Sequence, residues 1–411
     1  MKEKLLHFIK QETVLVVATV LAIMSMFFVK PSAAYLAYID WHVLGVLLSL
    51  MIIMAGLQRT GLFDAIGGKL LSKTKDTRQL AFILVFLCFF FSMLITNDVA
   101  LFTFVPFAMI MLKKCRQEKM LIPVIALQTI AANLGSMLTP IGNPQNLYLY
   151  NLSGMGMGEF LGVMLPYTIV AGVLLAIAIL LCCKKQVISE VLLGKNTSAE
   201  GVTSNADKTE QKDEVIEDSV KKEAGQTLNA EQKAALEKGR NFIKNSIYII
   251  LFVLSLLVVA HILPFEQVLL AILLLVFNMD RPVLKQVDYC LLLTFIAFFI
   301  FTGNMGNIKA IRVALQQLVT GRELAIGIIS SQAISNVPAA LLLSGFTSDY
   351  RELLIGVNIG GLGTLIASMA SLISYKLFAK EYNDQKGRYF RWFTISNIIF
   401  LAVLVVAAVI F

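Results

Sequence analysis

Long uncharged apolar runs dominate this sequence, and no soluble fold has room for so many of them. Residues 13–29, 120–158, 160–183, 247–260, 353–375 and 393–411 contain no Lys, Arg, Asp or Glu. Several reach the ~20 residues that a membrane-spanning helix needs. Hydrophobic residues make up 57% of the chain and charged ones 15%, the composition of an all-α polytopic membrane protein. The net charge of +8 therefore reads as basic flanks of spans on the cytoplasmic side, with no nucleic-acid partner. The opening MKEKLLHFIK lacks a small-residue cleavage site, so a cytoplasmic start followed by a first span is expected. The five cysteines lie in or beside apolar runs without metal-ligand spacing and read as small hydrophobes.

One segment breaks the pattern. Residues 184–240 are dense in charge and rich in Ser, Asn, Gln and Thr, a composition that cannot bury a core. They read as a polar cytoplasmic linker whose last part has helix-forming composition and leads into the next span. The linker separates a first membrane repeat, 1–183, from a second, 241–411. The halves echo each other: DWHVLGVLL from Asp40 matches DYCLLLTFI from Asp288, SMLITNDVALFTFVPF matches SQAISNVPAALLLSGF, and NLGSMLTPIGNPQNLYLY from Asn133 matches NIGGLGTLIASMASLISY from Asn358. Three echoes in one order indicate internal duplication.

Basic loops set the topology. The loop 58–78 and the stretch KKCRQEK (113–119) are both basic, so the apolar pair between them starts and ends inside. Its second arm, 99–112, is about 21 Å long as a helix, short of the ~30 Å bilayer core. A re-entrant hairpin over 79–112 fits, followed by a span over 120–152 that is broken in the middle. In the second half, the arms of 323–346 are again too short to cross. A single kinked span there would put the basic segment 376–391 outside, against the positive-inside bias. The second hairpin therefore enters from outside, with a second broken span over 353–375 and an external C-terminus. Inverted repeats with interrupted helices are a transporter signature.

Irregular backbone at membrane depth persists only where it lines protein or a wet cavity. The hairpin tips are Thr96-Asn97-Asp98 and Ser335-Asn336-Val337-Pro338. The breaks centre on TPIGNPQN (139–146) and NIGGLGT (358–364). Asp98 is the only charged side chain between Gln79 and Leu112, and ionisable groups at that depth mark function by default. Prolines and glycine in the first break free carbonyls that could hold a cation. Blander roles stay open at this point: Asn97 and Asn336 as helix caps, the prolines as kinks, Asp98 paired with Thr96. No HExxH motif or nucleophile–base set occurs within the spans, so an enzyme is not expected; a channel is a poorer fit than a transporter.

SMLITNDVALFTFVPF, GSMLTPIGNPQNLYLY and SNVPAALL with NIGGLGTLIAS resemble the ion transporter superfamily. It comprises divalent anion–sodium symporters, arsenite permeases and NhaD-type sodium–proton antiporters, with citrate-transporter-like domains. The resemblance covers nearly all of the chain outside the linker. It implies a homodimer of eleven-span protomers in the plasma (inner) membrane, each a scaffold plus an elevator-type transport domain holding both hairpins and both broken helices. In the symporter branch each tip carries Ser-Asn-Thr contacting substrate and sodium; the matching positions are Thr96, Asn97, Asp98 and Ser335, Asn336, Val337. The resulting expectation places substrate on Thr96, Asn97, Asn146, Ser335, Asn336 and Thr364. The coupling ion, Na⁺ or H⁺, falls to Asp98, Asn97, Thr139, Gly142, Asn143, Asn336 and Gly361, with Na⁺ itself at Asn97, Asp98 and Asn143. No cofactor beyond the coupling ion is expected. Asp98 replaces a hydroxyl of the branch and no Lys or Arg offsets a dianion, which weakens a dicarboxylate and favours a small anion, oxyanion or arsenite-like solute. Na⁺/H⁺ exchange on Asp98 is the alternative.

Overall fold

The computed structural model describes residues 12–71, 74–186 and 230–411, and among these the chain is helical without strands. The first half runs α1 (Thr13–Met26), α2 (Trp41–Arg59), α3 (Leu62–Leu71), α4 (Thr77–Phe91), α5 (Asn97–Lys114), α6 (Leu121–Ser136), α7 (Pro144–Ser153) and α8 (Met157–Cys182). The second half runs α9 (Ala230–Val259), α10 (Phe265–Met279), α11 (Tyr289–Asn307), α12 (Lys309–Val319), α13 (Glu323–Ile334), α14 (Asn336–Leu343), α15 (Tyr350–Ile359), α16 (Met369–Glu381) and α17 (Lys386–Ile410). Six helices among the described residues are long and apolar enough to cross a membrane, and α1, α4, α10, α13 and α14 are shorter apolar helices. Most of the expected polar linker lies outside the described residues; its last part is helical, as α9 begins at Ala230.

Local chemistry sets the boundaries. Asp40 and Asp288 open α2 and α11 in the same way, each carboxylate accepting the N–H three residues on, from Val43 and Leu291 at 3.0 Å. Such caps satisfy N–H groups that the first turn leaves without partners. Asp76 caps α4 through Gln79 N–H at 2.9 Å. Gly154, at φ +66°, ends α7 in the left-handed conformation that glycine adopts without strain.

The helices pack as two groups. The smaller contains α1, α2, α9, α10 and α11; the larger contains α4–α8 and α13–α17; α3 and α12 connect them. In the smaller group, Asp280 at the end of α10 takes Lys244 of α9 at 2.9 Å and Arg59 of α2 at 3.6 Å, with its side chain 4% exposed. Asp280→Ala leaves Lys244, whose side chain is 17% exposed, without its partner, while Arg59, 39% exposed, stays hydrated, so it is expected to cost about 1–2 kcal/mol. A thermal melt of the purified variant checks this, and an unchanged midpoint would show that the cluster contributes nothing.

In the larger group, each hairpin leans its first arm on the first half of its own broken helix: α4 on α6, and α13 on α15. The base of the first hairpin is tied to the end of α8, where Thr77 Oγ1 donates to Lys184 O at 2.6 Å and Arg78 Nε to Cys183 O at 3.1 Å. The base of the second lies against α7, which leads into the other end of α8; there Ser344 Oγ and Tyr148 OH are 2.9 Å apart. The hairpins therefore reach the middle of the bundle from opposite ends.

The two groups touch mainly along one half of the molecule. Asn151 Nδ2 of α7 donates to Asp40 Oδ2 of α2 at 2.8 Å, Tyr148 packs on Phe299 and Tyr150 stacks on His261. At the opposite ends of α2 and α11 a gap remains between the groups.

Candidate functional site

In the first hairpin, α4 ends at Phe91 and α5 starts at Asn97, so the tip is residues 92–96. Asn97 N–H donates to Gly142 O at 3.2 Å, locking the tip onto the first break. In the second hairpin, Ser335 turns the chain at φ +74°, and Asn336 N–H donates to Ala367 O at 3.0 Å. Gly142 and Ala367 each precede the residue that opens the second half-helix, so the two tips are held in the same way. The asparagines are not N-caps. Thr96 and Ser335 occupy that position without a side-chain capping bond, while each Asn Oδ1 accepts the next residue's N–H, from Asp98 at 2.9 Å and Val337 at 3.0 Å.

The breaks share their staples. Thr139 Oγ1 accepts from Gly142 N–H and Thr364 Oγ1 from Ala367 N–H, both at 3.2 Å. The same hydroxyls donate back to the hairpins: Thr139 to Met93 O, and Thr364 to Gln332 O at 3.2 Å. Asn146 Nδ2 lies within 3.2–3.3 Å of the carbonyls of Ser136, Met137 and Thr139, which the broken helix leaves without partners. Gln332 does this work in the second break, holding Gly360 O and Leu362 O at 2.8 Å.

Two further bonds cross between the repeats. Asn133, in the last turn of α6, donates to Ser371 Oγ at 3.3 Å; Asn358, in the last turn of α15, donates to Asn146 Oδ1 at 2.7 Å. Asn133 and Asn358 occupy matching places, as do Asn146 and Ser371, so the bonds form a reciprocal pair. Asn133 Oδ1 also accepts from Asn97 Nδ2 at 3.1 Å and Ser368 Oγ at 3.0 Å.

This frame brings the first residues of four helices to one crevice: Asn97 and Asp98 of α5, Pro144 and Gln145 of α7, Asn336 and Val337 of α14, and Met369 and Ala370 of α16. Each helix N-terminus carries roughly half a positive charge, so four supply about +2 where no Lys or Arg is present. Asp98 Oδ1, Asn143 Oδ1 and both polar atoms of Gln145 are buried there without a hydrogen-bond partner. The crevice has about 10 Å³ of free space, roughly room for one water. From Thr96 and Asp98 a cavity of about 190 Å³ leads between the helix groups to Gln58, Gln286 and Asp288.

Of the expected site residues, Asn97, Asp98, Asn143 and Asn336 line the crevice, and Thr96 lines the cavity beside it. Thr139, Asn146 and Thr364 spend their side chains on the backbone of the breaks and hairpins. Ser335 Oγ is buried 3.4 Å from Ala367 O. Gly142 supplies the carbonyl under Asn97, and a Cβ there would stand 2.2 Å from Ser136 O. Gly361 packs behind the second tip, where a Cβ would stand 3.0 Å from Asn336 Nδ2. Residues not anticipated are Gln145, which sits inside the quoted GNPQN motif, and the organisers Asn133, Gln332, Asn358 and Ser368. The echo that aligns Asn133 with Asn358 was the one signal for that pair.

Paired hairpins and interrupted helices meeting at a polar mid-bundle crevice, in a bundle of membrane-crossing helices, are the architecture of a membrane transporter. The chain belongs to the citrate transporter family CitMHS, whose profile matches residues 5–347. It is 33% identical to the uncharacterized transporter MJ0456 of Methanocaldococcus jannaschii, over 91% of this chain and 90% of the relative. It is 29% identical to the inner membrane protein YbiR of Escherichia coli, over 83% of this chain and 81% of the relative. The silicon efflux transporter LSI3 of Oryza sativa subsp. japonica is 30% identical over 36% of this chain and 30% of the relative.

Proposed function

We propose that the protein is an ion-coupled secondary active transporter of a small oxyanion or oxyacid, arsenite-like solutes included, with Na⁺ or H⁺ carried at Asp98. The observation that carries this reading is the convergence of four helix N-termini around one unpaired carboxylate. About +2 of dipole charge against the −1 of Asp98 leaves about +1 for a solute anion. A cation on Asp98 raises that balance to about +2. Cation and anion therefore bind better together than apart, and that mutual preference is the physical content of coupling. The unpaired oxygens of Asp98 and Asn143 suit Na⁺, and Asp98 alone suffices for a proton.

An elevator-type motion is supported by the packing. The larger helix group carries both tips and both breaks, and meets the smaller one along a limited face. The tightly filled crevice opens for a solute only when elements around it separate. The protein acts in this scheme as a homodimer in the plasma membrane, with the N-terminus and 184–240 cytoplasmic and the C-terminus outside. Relatives named silicon efflux transporter LSI3 and putative transporter arsB, each matching 36% of this chain, lend support to a small solute, as does a crevice lined without Lys or Arg.

Purified protein in liposomes tests the reading, with Na⁺ and proton gradients imposed separately and internal pH followed. Saturable uptake of phosphate or arsenite driven by one of the gradients, with a dicarboxylate moved poorly, is the expected result. Proton movement driven by Na⁺ with no solute present would replace this reading by Na⁺/H⁺ exchange on Asp98.

A further inference from the structure

Gln145 follows Pro144 in the first turn of α7 and is fully buried at the crevice wall. Neither Oε1 nor Nε2 has a hydrogen-bond partner, and it is the only side chain among the described residues with two buried unpaired polar atoms. Buried amides are ordinarily paired, because leaving one unpaired forfeits its hydration for nothing. Its neighbours show that the chain can satisfy such groups here: Asn146 covers three carbonyls and Gln332 two. The Gln145 amide is held out of that network.

An amide needs an acceptor for its N–H and a donor for its carbonyl. A cation alone satisfies the carbonyl and leaves the N–H empty. A fully ionised oxyanion does the reverse. A solute with a hydroxyl beside an acceptor oxygen pairs both at once, X–O–H to Oε1 and X–O to Nε2–H. The other unpaired atoms of the crevice, Asp98 Oδ1 and Asn143 Oδ1, are taken by the coupling cation in the scheme proposed above, which leaves the Gln145 amide to face the solute. Resting on the transport reading above, we infer that Gln145 is the specificity-determining residue of the site. It selects partly protonated oxyanions and neutral oxyacids, and rejects oxyanions that carry no hydroxyl.

Hydrogen phosphate and sulfate make the sharpest test, being tetrahedral oxyanions of similar size that differ in the hydroxyl; arsenous acid adds a neutral hydroxylated solute. Binding is read from thermal stabilisation of the purified full-length protein, and uptake from liposomes holding the coupling cation. The native protein is expected to prefer hydrogen phosphate to sulfate at least tenfold. Gln145→Leu is expected to lose tenfold or more in affinity for hydrogen phosphate and to level the two anions. Gln145→Glu keeps the acceptor and loses the donor, so it retains arsenous acid better than hydrogen phosphate; it also serves if the leucine variant does not fold. Sulfate bound and moved as well as hydrogen phosphate by the native protein overturns the inference and leaves coupled transport standing. If no oxyanion or oxyacid binds or moves, both readings fall together. A preference that survives in Gln145→Leu removes Gln145 alone.

Discussion

Asp98→Asn is expected to yield a folded protein whose solute flux no longer follows any cation gradient. The substitution is nearly isosteric, and the carboxylate makes no hydrogen bond through Oδ1 that an amide would lose. The cost to folding is the acidic contribution to the α5 N-terminus, about 0.3–1 kcal/mol. The cost to function is the fixed negative charge. Without it the crevice already carries the roughly +2 of its helix termini, so a small anion still binds but has no need of a cation. Accumulation against a gradient should fall at least tenfold, while exchange of solute between equal concentrations persists. Asp98→Glu, which keeps the charge, should restore part of the gradient dependence. Unchanged cation dependence in Asp98→Asn would make Asp98 structural and move the coupling ion elsewhere.

The second large effect belongs to the fold. Gly135 sits near the end of α6, against the last turn of α4, and a Cβ there would lie 2.0 Å from Phe89 O and 2.5 Å from Ser92 Oγ. No rotamer change relieves a clash with backbone, so Gly135→Ala has to push the hairpin off its broken helix. An expected cost of about 3 kcal/mol sits at the upper end for overpacking. Gly360 occupies the matching place in the second repeat, where a Cβ would lie 2.9 Å from Ile328 Cα and from Ser331 Cβ. Gly172 is the control, because its Cβ would meet only the Phe89 ring at 3.6 Å, an ordinary contact. Melting curves of the three alanine variants should show a large fall for Gly135, a smaller one for Gly360 and little change for Gly172. Equal midpoints would mean that the close approach of α4 and α6 is not what holds the first tip in place.

Much of this was legible because apolar length and charge report on a bilayer directly. The irregular tips within 79–112 and 323–346, the proline-bearing break at 139–146 and the isolated Asp98 are visible in one dimension, whereas the second arm of the first hairpin is longer than the expected 99–112, running as α5 from Asn97 to Lys114. Helices α3 and α12 were not legible. The 58–78 stretch reads as a basic loop, and only the three-dimensional trace shows that Leu62–Leu71 forms a helix between the two packing groups. The role of Asn97 was legible in part: its position at a helix restart was readable, but its bond to Asn133 joins residues whose pairing no local pattern encodes. The same limit hid Ser371 and Gln332, which read as ordinary small or polar residues until the breaks are folded against the hairpins. Gln145 was in plain view within the GNPQN motif. Its unpaired state is a property of the folded crevice, so no propensity could single it out.

The reciprocal bonds from Asn133 to Ser371 and from Asn358 to Asn146 also bear on which substitutions the chain tolerates. Each half carries the partner that the other half's broken helix depends on. A substitution of either partner therefore reaches the break in the other half. A change at Asn146 removes the acceptor of Asn358, and one at Ser371 the acceptor of Asn133. The tie also runs through Asn133 to Asn97, so the first tip is coupled to a residue that the other half supplies.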